Sequence, residues 1–161
     1  MMTKPRLNIK ANATDWRAVI LSNLAQTPFF YGGYLFPSVE SALQGIKFKH
    51  EPERLFVFGL DGKNALKNAH NQLDNSAIAN IYWNNELIEY NSDKHRLLLA
   101  QFIGAKVFQN PDVQRALLET SEYFIYHDVG LEDPATSLPE KILILTLIQQ
   151  RQLLQKLREL K

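Results

Sequence analysis

The 161-residue chain has no cysteine, which excludes disulfides, thiolate zinc ligands and a cysteine nucleophile. It has almost no excess of either charge: eighteen Lys and Arg oppose seventeen Asp and Glu, for a net charge of +1. No overall field therefore draws it to a phosphate backbone or an anionic membrane. Long apolar runs are missing as well. The longest, Ile142 to Ile148, is about a third of the roughly 20 residues that a membrane-spanning helix needs. The opening stretch Met1-Met-Thr-Lys-Pro-Arg6 is basic, yet no apolar segment follows it, so it lacks the form of a secretory signal and a cytoplasmic address is expected.

Further absences narrow the chemistry. His50, His70 and His95 have no His-x-x-x-His or carboxylate partner at metal spacing, so neither a metal nor another cofactor is expected. There is no phosphate-loop glycine pattern and no serine nucleophile elbow. No fixed-period repeat, low-complexity stretch or Gly/Ser/Pro-rich linker divides the chain.

What is present is a 45% hydrophobic composition, enough at this length for one substantial core, so a single domain over 1–161 is expected. Pro28 to Tyr31 and Tyr34 to Phe36 read as short aromatic strands, joined by Gly32-Gly33, whose positive φ angles suit a two-residue turn. Ser38 is a good N-cap for a helix over Val39 to Phe48, with Val39, Leu43 and Ile46 at helical spacing. Further helices are expected near Glu53 to Phe58, from Asp61 to about Asn71, around Ser76 to Trp83, from Ser92 through Phe108, and from Asn110-Pro111 through Thr120. Tyr123 to His127 is aromatic and β-branched, hence a strand. Ser137-Leu-Pro-Glu140 has the form of a capping box, opening a final helix whose apolar stripe includes Ile142, Leu145, Ile148, Leu153 and Leu157. That helix ends in a basic-rich segment, Arg151 to Lys161, which fits a solvated helix end or a contact with nucleic acid. The sum is a helix-rich α+β domain with a small β-sheet or hairpin.

Within the second helix, Glu40, Gln44 and Lys47 stand at spacings of four and three, which at about 100° per residue places them on one face. A carboxylate, an amide and an ammonium in one row can orient a sugar: Glu accepts from hydroxyls or moves protons, Gln gives and takes hydrogen bonds, and Lys neutralises phosphate or attacks a carbonyl. The same spacing also describes an exposed face laced by Glu40 and Lys47.

The stretch Leu21-Ser-Asn-Leu24, Pro28-Phe29, Gly33-Tyr-Leu-Phe-Pro-Ser-Val-Glu40, Leu43-Gln44 and Lys47-Phe48 resembles the opening signature of the NADAR family, the NAD- and ADP-ribose-associated, YbiA-like N-glycosidases. Ala105-Lys106, Gln109-Asn110-Pro111 and Ala116-Leu-Leu-Glu-Thr120 are similar to a later segment of the same family. The resemblance implies a YbiA-like fold and hydrolysis of an N-glycosidic bond. The implied substrates are ribosyl nucleotides, either phosphoribosyl intermediates of riboflavin synthesis or ADP-ribose on a guanine base, the latter also when carried by nucleic acid. By the same resemblance Ser22 and Asn23 bind ribose or phosphate, Glu40 holds ribose hydroxyls or acts as acid/base, Lys47 is the catalytic amine, and Gln44 supports them. Lys106 fits either a phosphate contact or a solvated helix surface.

The chain departs from the family where the latter reads an acidic residue, an Asp and then WGxG. Here the segment is His127-Asp-Val-Gly-Leu-Glu-Asp133-Pro-Ala-Thr136. Asp128, Glu132 or Asp133 is expected to stand in for the acidic group, with Asp128 as the catalytic candidate. Tyr126 fits core packing and ligand stacking equally well, and His127 fits an ordinary surface or hydrogen-bonded role better than that of a general acid; Trp83 and Tyr90 fit core or rim packing. The rival to hydrolysis is a module that binds ADP-ribose or a nucleotide without cleaving it.

Overall fold

In the computed structural model, which describes residues 3–161, the elements run β1 (Arg6–Asn8), α1 (Trp16–Leu21), β2 (Phe29–Tyr31), β3 (Tyr34–Phe36), α2 (Val39–Gly45), α3 (Glu51–Phe58), α4 (Gly62–Gln72), β4 (Asn80–Trp83), β5 (Glu86–Glu89), α5 (Asp93–Gln109), α6 (Pro111–Glu119), β6 (Phe124–Tyr126) and α7 (Glu140–Glu159). Met1 and Met2, the start of the stretch considered above for a signal, lie outside the described residues. The strands form three separate pairs: β1 parallel to β6, β2 antiparallel to β3, and β4 antiparallel to β5. This is the helix-rich α+β class that the sequence implies.

The Gly-Gly hairpin forms as expected, with Tyr31 opposite Tyr34 and φ of +61° at Gly32 and +88° at Gly33. It is pressed onto an aromatic core in which Phe36 meets Phe58 at 4.9 Å and Trp83 meets Phe102 at 5.4 Å between ring centroids. A Cβ on Gly32 would stand 2.4 Å from Cζ2 of Trp83, whereas one on Gly33 would meet nothing. Both alanine variants carry the left-handed backbone cost of about 1–2 kcal/mol, and Gly32→Ala adds a collision with a buried ring. Urea denaturation should show Gly32→Ala losing about 2–4 kcal/mol and Gly33→Ala clearly less; equal losses would contradict the packing of the hairpin on Trp83.

Four sequence expectations are corrected. Residues 76 to 83 do not form a helix: Asn75–Ala77 is a single 3-10 turn, and Asn80–Trp83 is a strand with Ile81 and Trp83 buried. Period-2 burial and an Asn84-Asn85 turn with φ of 50° and 60° make it a hairpin with β5. The helix from Val39 stops at Gly45 rather than Phe48. There the Phe58 ring packs so closely that a Cβ would lie 2.3 Å from it, and tight i→i+3 bonds from Lys47 and Phe48 turn the chain. No capping box forms at residues 137 to 140. Pro139 occupies the N-cap position without a side-chain bond, Ser137 is buried, and Glu132 instead accepts from the Glu140 N–H at 2.7 Å. Finally, the buried stripe of α7 is Leu143, Leu147 and Leu154, while Leu145, Leu153 and Leu157 are exposed. No helix among the described residues is long and apolar enough to cross a membrane.

Candidate active site

Two loops and the start of α2 build the site. Past the end of α1, the Ser22 hydroxyl accepts from the Leu24 N–H at 3.2 Å, and the Asn23 carbonyl accepts from the Glu40 N–H at 2.9 Å. The turn is thereby tied to the first residues of α2. Ser38 caps that helix by accepting from the Ser41 N–H at 3.1 Å, which fixes where Glu40 leaves the backbone. From beneath, the Lys106 amine donates to the Ser22 carbonyl at 2.8 Å. Lys106 is buried, so neither a solvated surface nor an open phosphate contact describes it, and burial pushes its pKa down to about 7.

Glu40, Gln44 and Lys47 are 8%, 6% and 5% exposed, which removes the exposed-face reading of their spacing. They form a continuous relay: Gln44 Nε2 donates to Glu40 Oε1 at 2.7 Å, and Lys47 Nζ donates to Gln44 Oε1 at 2.9 Å and to Asn75 Oδ1 at 3.0 Å. Although Lys47 lies beyond the helix end, the tight turn returns it to the face it would occupy on a continued helix. Desolvation pushes the Glu40 carboxyl up, against the Gln44 hydrogen bond and the charges of Lys47 and His127. It pushes the Lys47 amine down to about 8, against the attraction of Glu40 and Asp133. The opposite shifts bring each group toward its neutral form.

Beside this relay lies a small cleft of about 140 Å³, whose walls include Gln44, Asn75, Asp74, Asp133, His70 and Leu73. It is smaller than the roughly 300–1,000 Å³ typical of ligand pockets, so it offers room for one part of a nucleotide. With carboxylates of Asp74 and Asp133 in its wall, that part is better a sugar than a phosphate.

The three candidate acidic residues separate. Asp133 reaches the cleft, while its Oδ1 accepts from the Ala135 N–H at 2.9 Å. Asp128 is exposed and accepts from the Gly130 N–H at 2.9 Å, and its backbone is held by the Asn8 side chain. Glu132 is occupied at the start of α7. Tyr126 lies under the Arg6 guanidinium, 4.6 Å from ring centre to Cζ. Asp128, Glu132 and Tyr126 all line a second groove, between β6 and α7, of about 670 Å³; the structure does not bring them to Glu40 and Lys47. The His127 ring nitrogen Nδ1 contacts the Ile9 carbonyl at 2.5 Å. Trp83 is core, and Tyr90 is half-buried with its hydroxyl donating to the Ala135 carbonyl at 2.7 Å.

Sequence reasoning overlooked Asn75 and His95. Asn75 sits in a turn that Asp74 caps by accepting from the Ser76 N–H at 3.0 Å; an Asp-Asn-Ser run is turn chemistry, and that was the available signal. His95 is wholly buried and held down to about 4, first by burial and then by the charges of Lys47 and Arg96. No group of three or more His, Asp or Glu side chains converges on a metal position among the described residues.

Comparison with known proteins places this geometry in context. Among solved structures, the chain is similar to the NMR structure of the E. coli protein YbiA, with a TM-score of 0.70 at 17% identity, over 100% of this chain and 90% of that one. The fold is therefore YbiA-like, as the sequence resemblance implied. Curated protein sequences give no match. Residues 15–152 match the model of a family described as bacteriophage protein GP30.3, a span that runs from the start of α1 well into α7 and takes in Glu40, Lys47, Asn75 and Asp133. The chain belongs to the bacteriophage GP30.3 protein family, built on a YbiA-like fold.

Proposed function

We propose that the protein hydrolyses the N-glycosidic bond of a ribosyl nucleotide, either a phosphoribosyl intermediate of the riboflavin pathway or ADP-ribose joined to a guanine base. The observation that carries this reading is the buried relay Glu40–Gln44–Lys47–Asn75, two of whose members, Gln44 and Asn75, line a sugar-sized cleft while Glu40 and Lys47 lie behind them. As the base departs, positive charge develops at C1′ and the ring oxygen, and a desolvated carboxylate stabilises it strongly. Glu40 is the group for that role. Lys47, with its pKa near 8, has an appreciable neutral fraction at physiological pH. Its lone pair bonds to C1′ while the C1′–N bond breaks and a proton passes to the base nitrogen; water then releases the sugar and restores the amine. Asp133, which lines the cleft, takes the proton-exchanging role expected of one of the three acidic candidates, and Asn23 is tied to the relay through its backbone carbonyl, which accepts from the Glu40 N–H.

A second reading, binding of ADP-ribose without cleavage, is favoured by one observation: Asp128 and Glu132 are engaged away from the cleft, so the acidic group rests on Asp133 alone. Incubation with ADP-ribosylated guanine nucleotide and with a phosphoribosylamino pyrimidine, followed by chromatography of released base, separates the two. The first reading expects release with kcat/KM rising through about pH 8 as Lys47 loses its proton. Tight binding of both compounds with no released base would leave the binding reading standing.

A further inference from the structure

The end of α5 grips the segment that leads from α1 into the hairpin at three points. Gln109 brackets Phe30, its Oε1 accepting from the Phe30 N–H at 2.7 Å and its Nε2 donating to the Phe30 carbonyl at 2.8 Å. Asn110 Nδ2 donates to the Pro28 carbonyl at 3.0 Å. The third grip is Lys106 Nζ on the Ser22 carbonyl at 2.8 Å; that carbonyl also accepts from the Ala25 N–H at 3.1 Å, which closes the turn 22–25. Lys106 differs from the other two in being buried, and among the described residues no carboxylate pairs with it. A methionine would fill nearly the same space without placing an amine in the interior, where a cation lacking a counter-ion costs stability. The amine therefore contributes by what it holds and not by packing.

What it holds leads to Glu40. The first N–H groups of a helix have no partner within the helix. In α2 the Ser41 N–H goes to the Ser38 hydroxyl, whereas the Glu40 N–H goes, at 2.9 Å, to the carbonyl of Asn23, the residue joined to Ser22 by the gripped peptide. We propose that Lys106 is a positioning residue for catalysis: by fixing the Ser22–Asn23 peptide it sets where the Glu40 backbone, and hence its carboxyl, stands in the relay. The far end of the turn rests on α4, where a Cβ on Gly62 would lie 2.8 Å from the Leu24 carbonyl oxygen; its near end rests on Lys106. An amine donates whether protonated or neutral, so the grip persists as Lys106 titrates. The inference rests on the hydrolase reading of the site and adds a residue that does not line the cleft.

The test is Lys106→Met, read by three measurements. Hydrolysis of the two ribosyl compounds named above should show kcat falling by about 10–100-fold, with KM within about threefold of wild type. Hydrogen exchange followed by NMR should find the Glu40 amide protected in the wild type and exchanging about tenfold faster in the variant, while the Ser41 amide, which Ser38 holds locally, keeps its protection. The urea midpoint should stay or rise, since a buried amine is removed. A purely structural role would instead lower the midpoint and loosen Glu40 and Ser41 together. In an active enzyme, the positioning role alone is overturned by a variant that does not fold, by wild-type kcat, by a rise in KM with kcat intact, or by a loss of kcat with Glu40 protection unchanged. A Glu40 amide that exchanges freely in the wild type overturns it without any variant. A wild-type protein that releases base from neither compound overturns the hydrolase reading, and the positioning role with it.

Discussion

Lys47→Ala is expected to lower ribosyl hydrolysis by about three orders of magnitude or more and to abolish covalent trapping of the sugar by borohydride during turnover. In the wild type the reductant should leave a ribosyl adduct on Lys47, identifiable by peptide mass. The variant's fold should survive, because the amine is held against its solvation preference. The linkage makes this checkable. The folded pKa, about 8, lies below the unbonded value of 10.5, so the wild type is most stable above 10.5 and loses stability as pH falls toward 8. Lys47→Ala should flatten thermal stability over that window. If turnover survives the substitution, Lys47 is not the nucleophile and Glu40 with water performs the reaction.

Glu40→Gln carries the second large effect, a loss of about 10²–10⁴ in kcat with ADP-ribose binding retained. The amide oxygen can still accept from Gln44, so the relay keeps its geometry and loses its charge. Attraction to the Glu40 carboxylate is the leading influence that raises the Lys47 pKa against burial. Removing it should lower that pKa further, and the rising limb of residual kcat/KM should move below pH 8. A limb that stays in place would mean that Glu40 and Lys47 do not share a site in solution.

Much of this arrangement was legible in the sequence, for reasons that are local. Gly32-Gly33 required positive φ, Ser38 capped α2 and Ser92 capped α5 by accepting from the His95 N–H at 3.2 Å, and Pro111 opened α6; each signal acts within a few residues of itself. Glu40, Gln44 and Lys47 were legible as a row, although their burial was not, since it depends on α3 and α4 packing over α2. What stayed hidden depends on partners distant in sequence. β1 is three residues whose pairing lies with β6, near the other end of the chain. The start of α7 is capped by Glu132 from the preceding loop. The segment from 127 to 136 offered three carboxylates at similar spacing. Asn8 gripping Asp128, and the α7 N-terminus engaging Glu132, leave Asp133 as the one that reaches the cleft, and no local pattern encodes that choice. The Asn84-Asn85 hairpin was readable in principle, because Asn tolerates the left-handed region better than most residues; an apparent helical spacing from Ser76 to Trp83 obscured it.

The central claim is that ribose binds beside the Glu40–Lys47 relay and not in the larger groove between β6 and α7. Titration of 15N-labelled protein with ADP-ribose, following the side-chain amide resonances of Gln44 and Asn75, tests it most directly. The account predicts that both amides shift and saturate together while the backbone resonances of Tyr126 and Asp128 hold still; saturable shifts confined to Tyr126, Asp128 and their neighbours on α7, with Gln44 and Asn75 unmoved, would contradict it.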